Sequence, residues 1–144
     1  LKRRADSKAM LLLTDSMAKV QAYVTDVPDV VWDLVECAEK PLTVIYPQGR
    51  NLATNLMAQD GSVGIRITNE AFSKQLCMRF KKPIVSTSAN VSGQPTPAFF
   101  DEISEEIKAG VDYIVQARQD DREKKQPSSI IKFEKNGTFA IIRE

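Results

Sequence analysis

The sequence predicts an α/β fold, a single domain built on a twisted mixed sheet with flanking helices. Short apolar runs of strand length alternate along the chain with stretches of helical periodicity. An Asn136-Gly137 pair between two apolar runs predicts a closing hairpin, which makes the sheet mixed rather than all parallel. In open α/β sheets ligands bind beyond the strand ends, so we expect the site in the loops that leave the strands.

The strand predictions rest on β-branched and apolar runs that are bounded by polar residues, proline or glycine. The runs that meet this description are residues 9–13, 42–46, 63–67, 84–87, 113–115, 130–133 and 139–143. The last two flank the Asn136-Gly137 pair and are the strands of the predicted hairpin.

Four stretches carry helical spacing, and capping or breaking residues mark their ends. The first covers residues 16–24, and the second begins at residues 26–28 with an apolar face of Val31, Leu34, Val35 and Ala38. The third begins at an Asn69 cap, ends before Pro83 and carries three apolar residues on one face, Phe72, Leu76 and Phe80. The fourth opens at Thr96-Pro97, ends at Gly110 and directs two side chains inward, Ile103 and Ile107.

The composition excludes several classes of protein. The chain has 144 residues, 20 Lys and Arg against 19 Asp and Glu, a net charge of +1 and no histidine. The lack of histidine excludes Ser-His-Asp and Cys-His nucleophiles, histidine-ligated zinc and imidazole acid–base catalysis. No apolar run approaches the ~20 residues that span a bilayer, so we expect a cytoplasmic protein without a membrane partner. Cys37 and Cys77 lack metal-ligand spacing and are expected to be free thiols.

A hydroxyl-rich loop follows the predicted strand 84–87. Residues 86–93 hold four hydroxyl side chains together with the amide of Asn90. Hydroxyls, amides and free N–H groups suit a phosphate or amino-acid ligand. The same residues also suit a strand exit that satisfies its own backbone, so the composition leaves both interpretations open.

Cationic residues at the amino end form a second candidate. Lys2, Arg3 and Arg4 are followed by Lys8, and this cluster suits either a polyphosphate clamp or a solvated chain end. The chain contains no Walker A sequence, no Gly-x-Gly-x-x-Gly and no paired-cysteine motif. Scattered hydroxyls and cations would therefore have to hold any nucleotide.

An arginine within an apolar strand is the third candidate. Arg66 lies in the predicted strand 63–67, where a cation needs either a carboxylate partner or an anionic ligand. Ser128 precedes another predicted strand, and Arg143 lies near the carboxyl end. Taken singly, each of these residues fits a structural role as well as a functional one.

Taken in order, these segments resemble the YrdC-like family of L-threonylcarbamoyladenylate synthases. The family pattern is Lys-x-Arg, Pro-Leu-Thr, Val-Gly-[Ile/Val]-Arg, Thr-Ser-Ala-Asn-x-Ser-Gly, Ser-[Thr/Ser]-Ile-[Ile/Val] and a late arginine. The matching segments here are residues 2–4, 41–45, 63–66, 87–93 and 128–131, with Arg143 as the late arginine. The family usually opens with Pro-Thr-[Asp/Glu]-Thr-x-Tyr-Gly, which nothing before Lys2 matches. We therefore expect a YrdC-like domain over residues 1–144 that lacks this segment.

The resemblance implies a nucleotidyltransferase that joins L-threonine, bicarbonate and ATP into threonylcarbamoyl-AMP and releases pyrophosphate. The product would serve tRNA threonylcarbamoyladenosine modification, with tRNA and transferase proteins as partners and Mg²⁺ accompanying ATP. Carried over residue by residue, the catalytic set is Lys2, Arg4, Ser88 and Asn90. The ATP contacts would be Arg4, Lys8, Ser62, Asn90 and Arg143, and the threonine contacts Arg66, Ser88 and Ser128, with no protein metal ligand.

Two other functions compete with the synthase. An RNA-binding module associated with translation is suggested by residues 2–4 and by the basic run of Arg122, Lys124 and Lys125. The net charge of +1 and the absence of an aromatic stacking motif count against it. An inactive family remnant is suggested by the unmatched opening segment. Threonine-dependent turnover of ATP separates the synthase from both.

Overall fold

The computed structural model describes residues 10–144, which form two compact units. The sheet unit comprises residues 10–86 and 127–144, and the loop unit comprises residues 87–126. Predicted site residues Lys2, Arg4 and Lys8 lie outside the described part of the chain. The single domain over residues 1–144 stays a prediction.

A six-stranded sheet forms the centre of the sheet unit. Its strands are β1 (Leu11–Thr14), β2 (Leu42–Tyr46), β3 (Val63–Ile67), β4 (Ile84–Ser86), β5 (Ser129–Phe133) and β6 (Phe139–Arg143). They lie in the order β4-β1-β3-β2-β5-β6. The β1–β3 and β2–β5 pairs are parallel, whereas β1–β4, β2–β3 and β5–β6 are antiparallel. The predicted mixed sheet and its closing hairpin are thus confirmed.

One predicted strand is wrong. Residues 113–115 belong to the loop unit and adopt no regular structure. Tyr113 is 75% exposed and Val115 is 36% exposed, so two of the three side chains face solvent within the loop unit.

Four short helices lie between the strands along the chain: α1 (Met17–Val20), α2 (Asp29–Glu36), α3 (Ala71–Phe80) and α4 (Glu105–Ala109). Helix α2 follows Pro28 and buries Val31 completely, as predicted. The segment predicted to be helical from Thr96 instead forms a 3₁₀ turn, Phe100–Glu102, before α4 begins. Within the described residues, no helix is long and apolar enough to cross a membrane.

Helix α3 differs from the prediction at its start, and Cys77 is its buried side chain. Glu70, not Asn69, caps it, because the Glu70 carboxylate accepts hydrogen bonds from the N–H groups of Phe72 at 3.1 Å and Ser73 at 2.8 Å. The apolar face that carries Phe72, Leu76 and Phe80 is exposed. The helix packs on β1 through Cys77 instead, whose thiol donates to the Leu13 carbonyl at 3.6 Å.

The hydrophobic core of the sheet unit lies on one face of the sheet. Its strand residues are Leu12, Val44, Tyr46, Val63, Ile65, Ile131 and Phe133, and Val20 and Val31 pack on them from α1 and α2. Because successive strand residues point to opposite faces, Thr43, Gly64 and Arg66 lie on the other face. That second face carries the polar residues described below.

The buried thiol of Cys77 predicts a loss of stability at alkaline pH. Burial and, secondarily, the carboxylate of Asp15 raise the pKa of Cys77, with Lys19 acting in the opposite direction. Above the unfolded thiol pKa of about 8.5, the unfolded chain releases a proton that the folded chain keeps. The free energy of unfolding should therefore fall with pH, with this thiol contributing a slope of up to about 1.4 kcal/mol per pH unit.

Urea unfolding of the wild type and Cys77→Ala between pH 7 and 10 measures this slope. Cys77→Ala should lose stability less steeply, whereas Cys37→Ala, which removes an exposed thiol, should match the wild type. Equal slopes for wild type and Cys77→Ala would contradict the assignment.

Candidate functional site

Two arginines and two hydroxyl groups form a hydrogen-bonded cluster on the polar face of the sheet. Arg66 donates from Nε to Thr43 Oγ1 at 3.1 Å and from Nη2 to Ser128 Oγ at 2.8 Å. The two hydroxyl oxygens are 3.0 Å apart and hydrogen-bonded to each other. Arg143 donates to the Ser128 carbonyl from Nε at 2.9 Å and from Nη2 at 2.6 Å, and Nη2 reaches Ser128 Oγ at 3.2 Å. We call these four residues the arginine–hydroxyl cluster.

The sheet register brings the cluster together. Thr43 lies opposite Arg66 on β3 and beside Ile130 on β5, and Ile130 lies opposite Arg143 on β6. A register shift between Ile130 and Ile131 leaves Ile142 as the extra residue of β6. Such a bulge re-aims the side chains that follow it. Without the bulge, Arg143 would fall opposite Ser129 and point to the core face.

The cluster holds two positive charges without a negative one. Among residues 10–144, no ion pair joins Arg66 or Arg143 to a carboxylate. Burial and then the charge of Arg143 lower the pKa of Arg66 from its usual value. From the sequence, Arg66 needs either a carboxylate partner or an anionic ligand. The described contacts favour the ligand.

A pocket of about 350 Å³ adjoins Arg66 at the carboxyl end of β3. Its charged lining residues are Glu39, Lys40, Arg66 and Glu70. Leu13 and Leu42 supply apolar wall, and Ser73 adds a hydroxyl. Pockets of this size take small molecules, and cations beside carboxylates match the two charges of a free amino acid.

Ser62 lies at the other end of β3 from the cluster. It is buried, and its N–H donates to the Asp60 carboxylate at 2.9 Å. Hydrogen bonds from the Ser62 hydroxyl and N–H lower the pKa of Asp60. Arg66 lies four residue steps along the strand from Ser62, or about 13 Å. The structure therefore does not bring Ser62 into the arginine–hydroxyl cluster.

Gly64 lies midway between these two residues, on the same face as Arg66. A Cβ at this position would meet Thr43 Cγ2 at 3.7 Å and Leu11 Cδ1 at 3.9 Å, which are ordinary contact distances. Because Gly64 has no side chain, β3 presents only backbone on the polar face between Ser62 and Arg66.

Ser88 and Asn90 lie in the loop unit, in the hydroxyl-rich loop. Asn90 Nδ2 donates to the carbonyls of Val91 at 3.1 Å and Gln94 at 2.6 Å. The Gln94 N–H donates to the same Val91 carbonyl at 3.0 Å, and Gly93 has a φ of 89°. Asn90 therefore stabilises a tight turn, and Ser88 is exposed two residues earlier.

Thr43 lies in the segment that matches the Pro-Leu-Thr motif, but the sequence assigns it no role. A sequence signal was available, because Thr43 is the only hydroxyl in the otherwise apolar start of β2, Leu42-Thr43-Val44-Ile45. Its position opposite Arg66 depends on the antiparallel pairing of β2 with β3.

Comparison with known proteins agrees with this fold. The Sua5/YciO/YrdC family, described as telomere recombination, matches residues 1–144. The chain belongs to this family.

Similar sequences include the threonylcarbamoyl-AMP synthase of Pseudoalteromonas translucida, 32% identical over 118 residues, which are 80% of this chain and 63% of that protein. A putative threonylcarbamoyl-AMP synthase of Methanocaldococcus jannaschii is 31% identical over 143 residues, 98% of this chain and 65% of that protein. The chain thus spans about two thirds of the length of these relatives.

Solved structures show the same fold. E. coli YciO aligns with a TM-score of 0.79 and 20% identity, covering 99% of this chain and 68% of that chain. P. abyssi Sua5 complexed with L-threonine aligns with a TM-score of 0.77 and 18% identity, covering 92% of this chain and 38% of that chain.

The uncompensated arginines predict that a small anion stabilises the protein. Pyrophosphate at ten times its dissociation constant should stabilise the chain by about 1.4 kcal/mol, which corresponds to roughly 4 °C in Tm. Thermal unfolding at constant ionic strength, with chloride as the reference anion, measures the shift.

Arg143→Gln should lose most of the pyrophosphate shift. Arg79→Gln, a substitution of an exposed arginine on α3, is the matched control and should keep it. An equal shift in Arg143→Gln and the wild type would place the anion elsewhere.

Proposed function

We propose that this chain is a threonylcarbamoyl-AMP synthase, a nucleotidyltransferase that uses L-threonine, bicarbonate and ATP. The observation that carries the proposal is the arginine–hydroxyl cluster, where Arg66 and Arg143 meet without a carboxylate among the described residues. The names of the sequence relatives support it, as does the L-threonine complex of P. abyssi Sua5.

The proposed reaction needs no nucleophile from the protein. The threonine amine adds to bicarbonate with loss of water, which gives a carbamate. A carbamate oxygen then attacks the α-phosphorus of ATP, the bond to the β-phosphate oxygen breaks, and pyrophosphate leaves. Such a displacement depends on positioning and on neutralising charge, which arginines and hydroxyls supply. A chain without histidine is therefore suited to this chemistry.

The proposed roles are those that the family resemblance implies for each residue. Arg66 would pair with the threonine carboxylate, with Ser88 and Ser128 as further threonine contacts. Arg143 would neutralise phosphate charge, in a set of ATP contacts that also contains Arg4, Lys8, Ser62 and Asn90. The residues closest to the reacting atoms would be Lys2, Arg4, Ser88 and Asn90.

Ser128 has little capacity for a direct contact while it holds both arginines. Its hydroxyl oxygen accepts hydrogen bonds from Arg66 and Arg143, and the hydroxyl is also hydrogen-bonded to Thr43 Oγ1. The contact with Arg143 Nη2 is the longest of the three, at 3.2 Å. A threonine ligand would reach Ser128 Oγ by replacing that contact.

Magnesium would enter with the nucleotide. Within residues 10–144, no group of three or more Asp, Glu or Cys side chains could hold a metal ion. We therefore assign Mg²⁺ to the triphosphate of ATP as part of the substrate, where it would neutralise phosphate charge.

The product would be consumed in tRNA modification. Threonylcarbamoyl-AMP is a mixed anhydride, and a transferase would pass its threonylcarbamoyl group to an adenosine of tRNA. We therefore propose tRNA-modifying transferases as the downstream partners and the cytoplasm as the compartment.

The RNA-binding alternative receives no support from the basic run at residues 122–125. Arg122 Nη1 pairs with the Asp101 carboxylate at 2.6 Å, and Lys125 pairs with Glu123. Carboxylates thus neutralise two of these cations within the loop unit.

Turnover of ATP tests the proposed function. The 144-residue chain, incubated with ATP, Mg²⁺, bicarbonate and L-threonine, should release pyrophosphate and form threonylcarbamoyl-AMP in equal amounts. Product formation should require threonine, which separates the synthase from an unspecific ATPase. Absence of threonine-dependent product would contradict the proposal and favour an inactive family member.

Replacing Arg66 should affect one substrate selectively. Arg66→Ala should raise the KM for L-threonine by about 30-fold or more, because a charge-assisted contact to the carboxylate is worth on the order of 2–5 kcal/mol. The KM for ATP should change by less than about twofold if Arg66 contacts threonine alone. Initial rates with each substrate varied in turn measure both constants, with Arg79→Ala as the control. An equal rise in both would contradict the assigned role.

A further inference from the structure

Thr43 contacts both Arg66 and Ser128 in the arginine–hydroxyl cluster without being among the assigned substrate contacts. Its hydroxyl is 3.1 Å from Arg66 Nε and 3.0 Å from Ser128 Oγ. Thr43 is 5% exposed and Ser128 is 3% exposed, so the hydroxyl pair is withdrawn from water. We infer that Thr43 is a positioning residue, whose hydroxyl orients the Arg66 guanidinium toward the threonine carboxylate. This inference rests on the proposed function and deepens it.

Counting hydrogens assigns the direction of each bond. A hydroxyl donates one hydrogen bond and accepts two. Because Ser128 Oγ accepts from Arg66 and Arg143, its own hydrogen points to Thr43 Oγ1. Thr43 Oγ1 thus accepts from both the Ser128 hydroxyl and the Nε of Arg66. Thr43 is the acceptor on which the two other groups depend.

The bonds occupy one edge of the Arg66 guanidinium and leave another edge available. Nε and Nη2 lie on the same edge, and their N–H groups point to the Thr43–Ser128 hydroxyl pair. An arginine has five N–H donors in a planar fork. The remaining edge, formed by Nη1 and the second hydrogen of Nη2, presents two parallel N–H groups. This is the geometry that binds a carboxylate through two hydrogen bonds.

A direct role for Thr43 in binding threonine does not fit its position. Both acceptor positions of its hydroxyl are used within the cluster, so only its O–H could donate to a carboxylate. The side chain is 5% exposed and does not line the pocket beside Arg66, so this O–H is withdrawn from a ligand there. Removing the hydroxyl leaves the Arg66 Nε–H and the Ser128 O–H without an acceptor. The guanidinium can then rotate about its side-chain bonds, and the edge facing the ligand loses its orientation.

Kinetics of Thr43 variants test the inference. Thr43→Val keeps the shape of the side chain and removes the hydroxyl. It should raise the KM for L-threonine about tenfold or more, the loss expected for a hydrogen bond to a charged group. The KM for ATP and kcat should change by less than about twofold if the effect passes only through Arg66. Thr43→Ser should restore the wild-type KM, and Thr25→Val, which removes an exposed hydroxyl, should not alter it.

A double-mutant cycle distinguishes positioning from general support of the fold. If Thr43 acts through Arg66, Thr43→Val should have less than about a twofold further effect on the threonine KM in the Arg66→Ala background. A full additional loss in that background would overturn the inference. If Thr43→Val does not fold, Thr43→Cys replaces the hydroxyl with a weak acceptor and should show the same selective rise.

Calorimetric titration with L-threonine separates the inference from the function on which it rests. A wild-type chain that neither binds L-threonine nor forms product would contradict both. A wild-type chain that does both, with Thr43→Val indistinguishable from it in threonine affinity and KM, would overturn only the inference. Weaker threonine binding by Thr43→Val, with rescue by Thr43→Ser, would support it.

Discussion

The polar face of the sheet depends on a single constraint, which is that two guanidinium groups are held together by neutral oxygen atoms. Arg66 and Arg143 share the hydroxyl of Ser128, and among the described residues neither has a carboxylate partner. Placing like charges side by side opposes folding, so the sheet must supply the stability that keeps them there. An anion that binds both groups relieves this repulsion. The same arrangement therefore costs stability without a ligand and favours binding with one.

The arrangement of the sheet follows from local signals that act over a few residues. Residues 42–46, 63–67 and 139–143 form strands with the predicted bounds. Each run is mostly apolar, and prolines at residues 41 and 47 bound the first of them. The Asn136-Gly137 turn adopts the predicted hairpin, with Gly137 at a φ of 82° and the Asn136 side chain accepting from the Thr138 N–H at 3.0 Å. The sequence pattern identifies Arg66 and Ser128 as candidates, the family motifs imply their roles, and the sheet brings the two residues together.

Other features depend on partners that are distant in sequence. The bulge at Ile142 directs Arg143 to the polar face, and its origin lies in the pairing of β6 with β5 rather than in β6 alone. The role of Thr43 appears only once β2 pairs with β3. Helix α3 buries Cys77 rather than the face that carries Phe72, Leu76 and Phe80, because packing on β1 decides which face is covered. The spacing of apolar residues identifies the apolar face of a helix, but not the element against which the helix packs.

The central claim is that the arginine–hydroxyl cluster recognises the carboxylate of L-threonine. Calorimetric titration of the 144-residue chain with L-threonine and with L-threoninamide, which replaces the carboxylate by a neutral amide, tests it most directly. We expect the amide to bind at least about 30-fold more weakly, because it loses a buried charge-assisted contact. Equal affinities for the two ligands would contradict the claim.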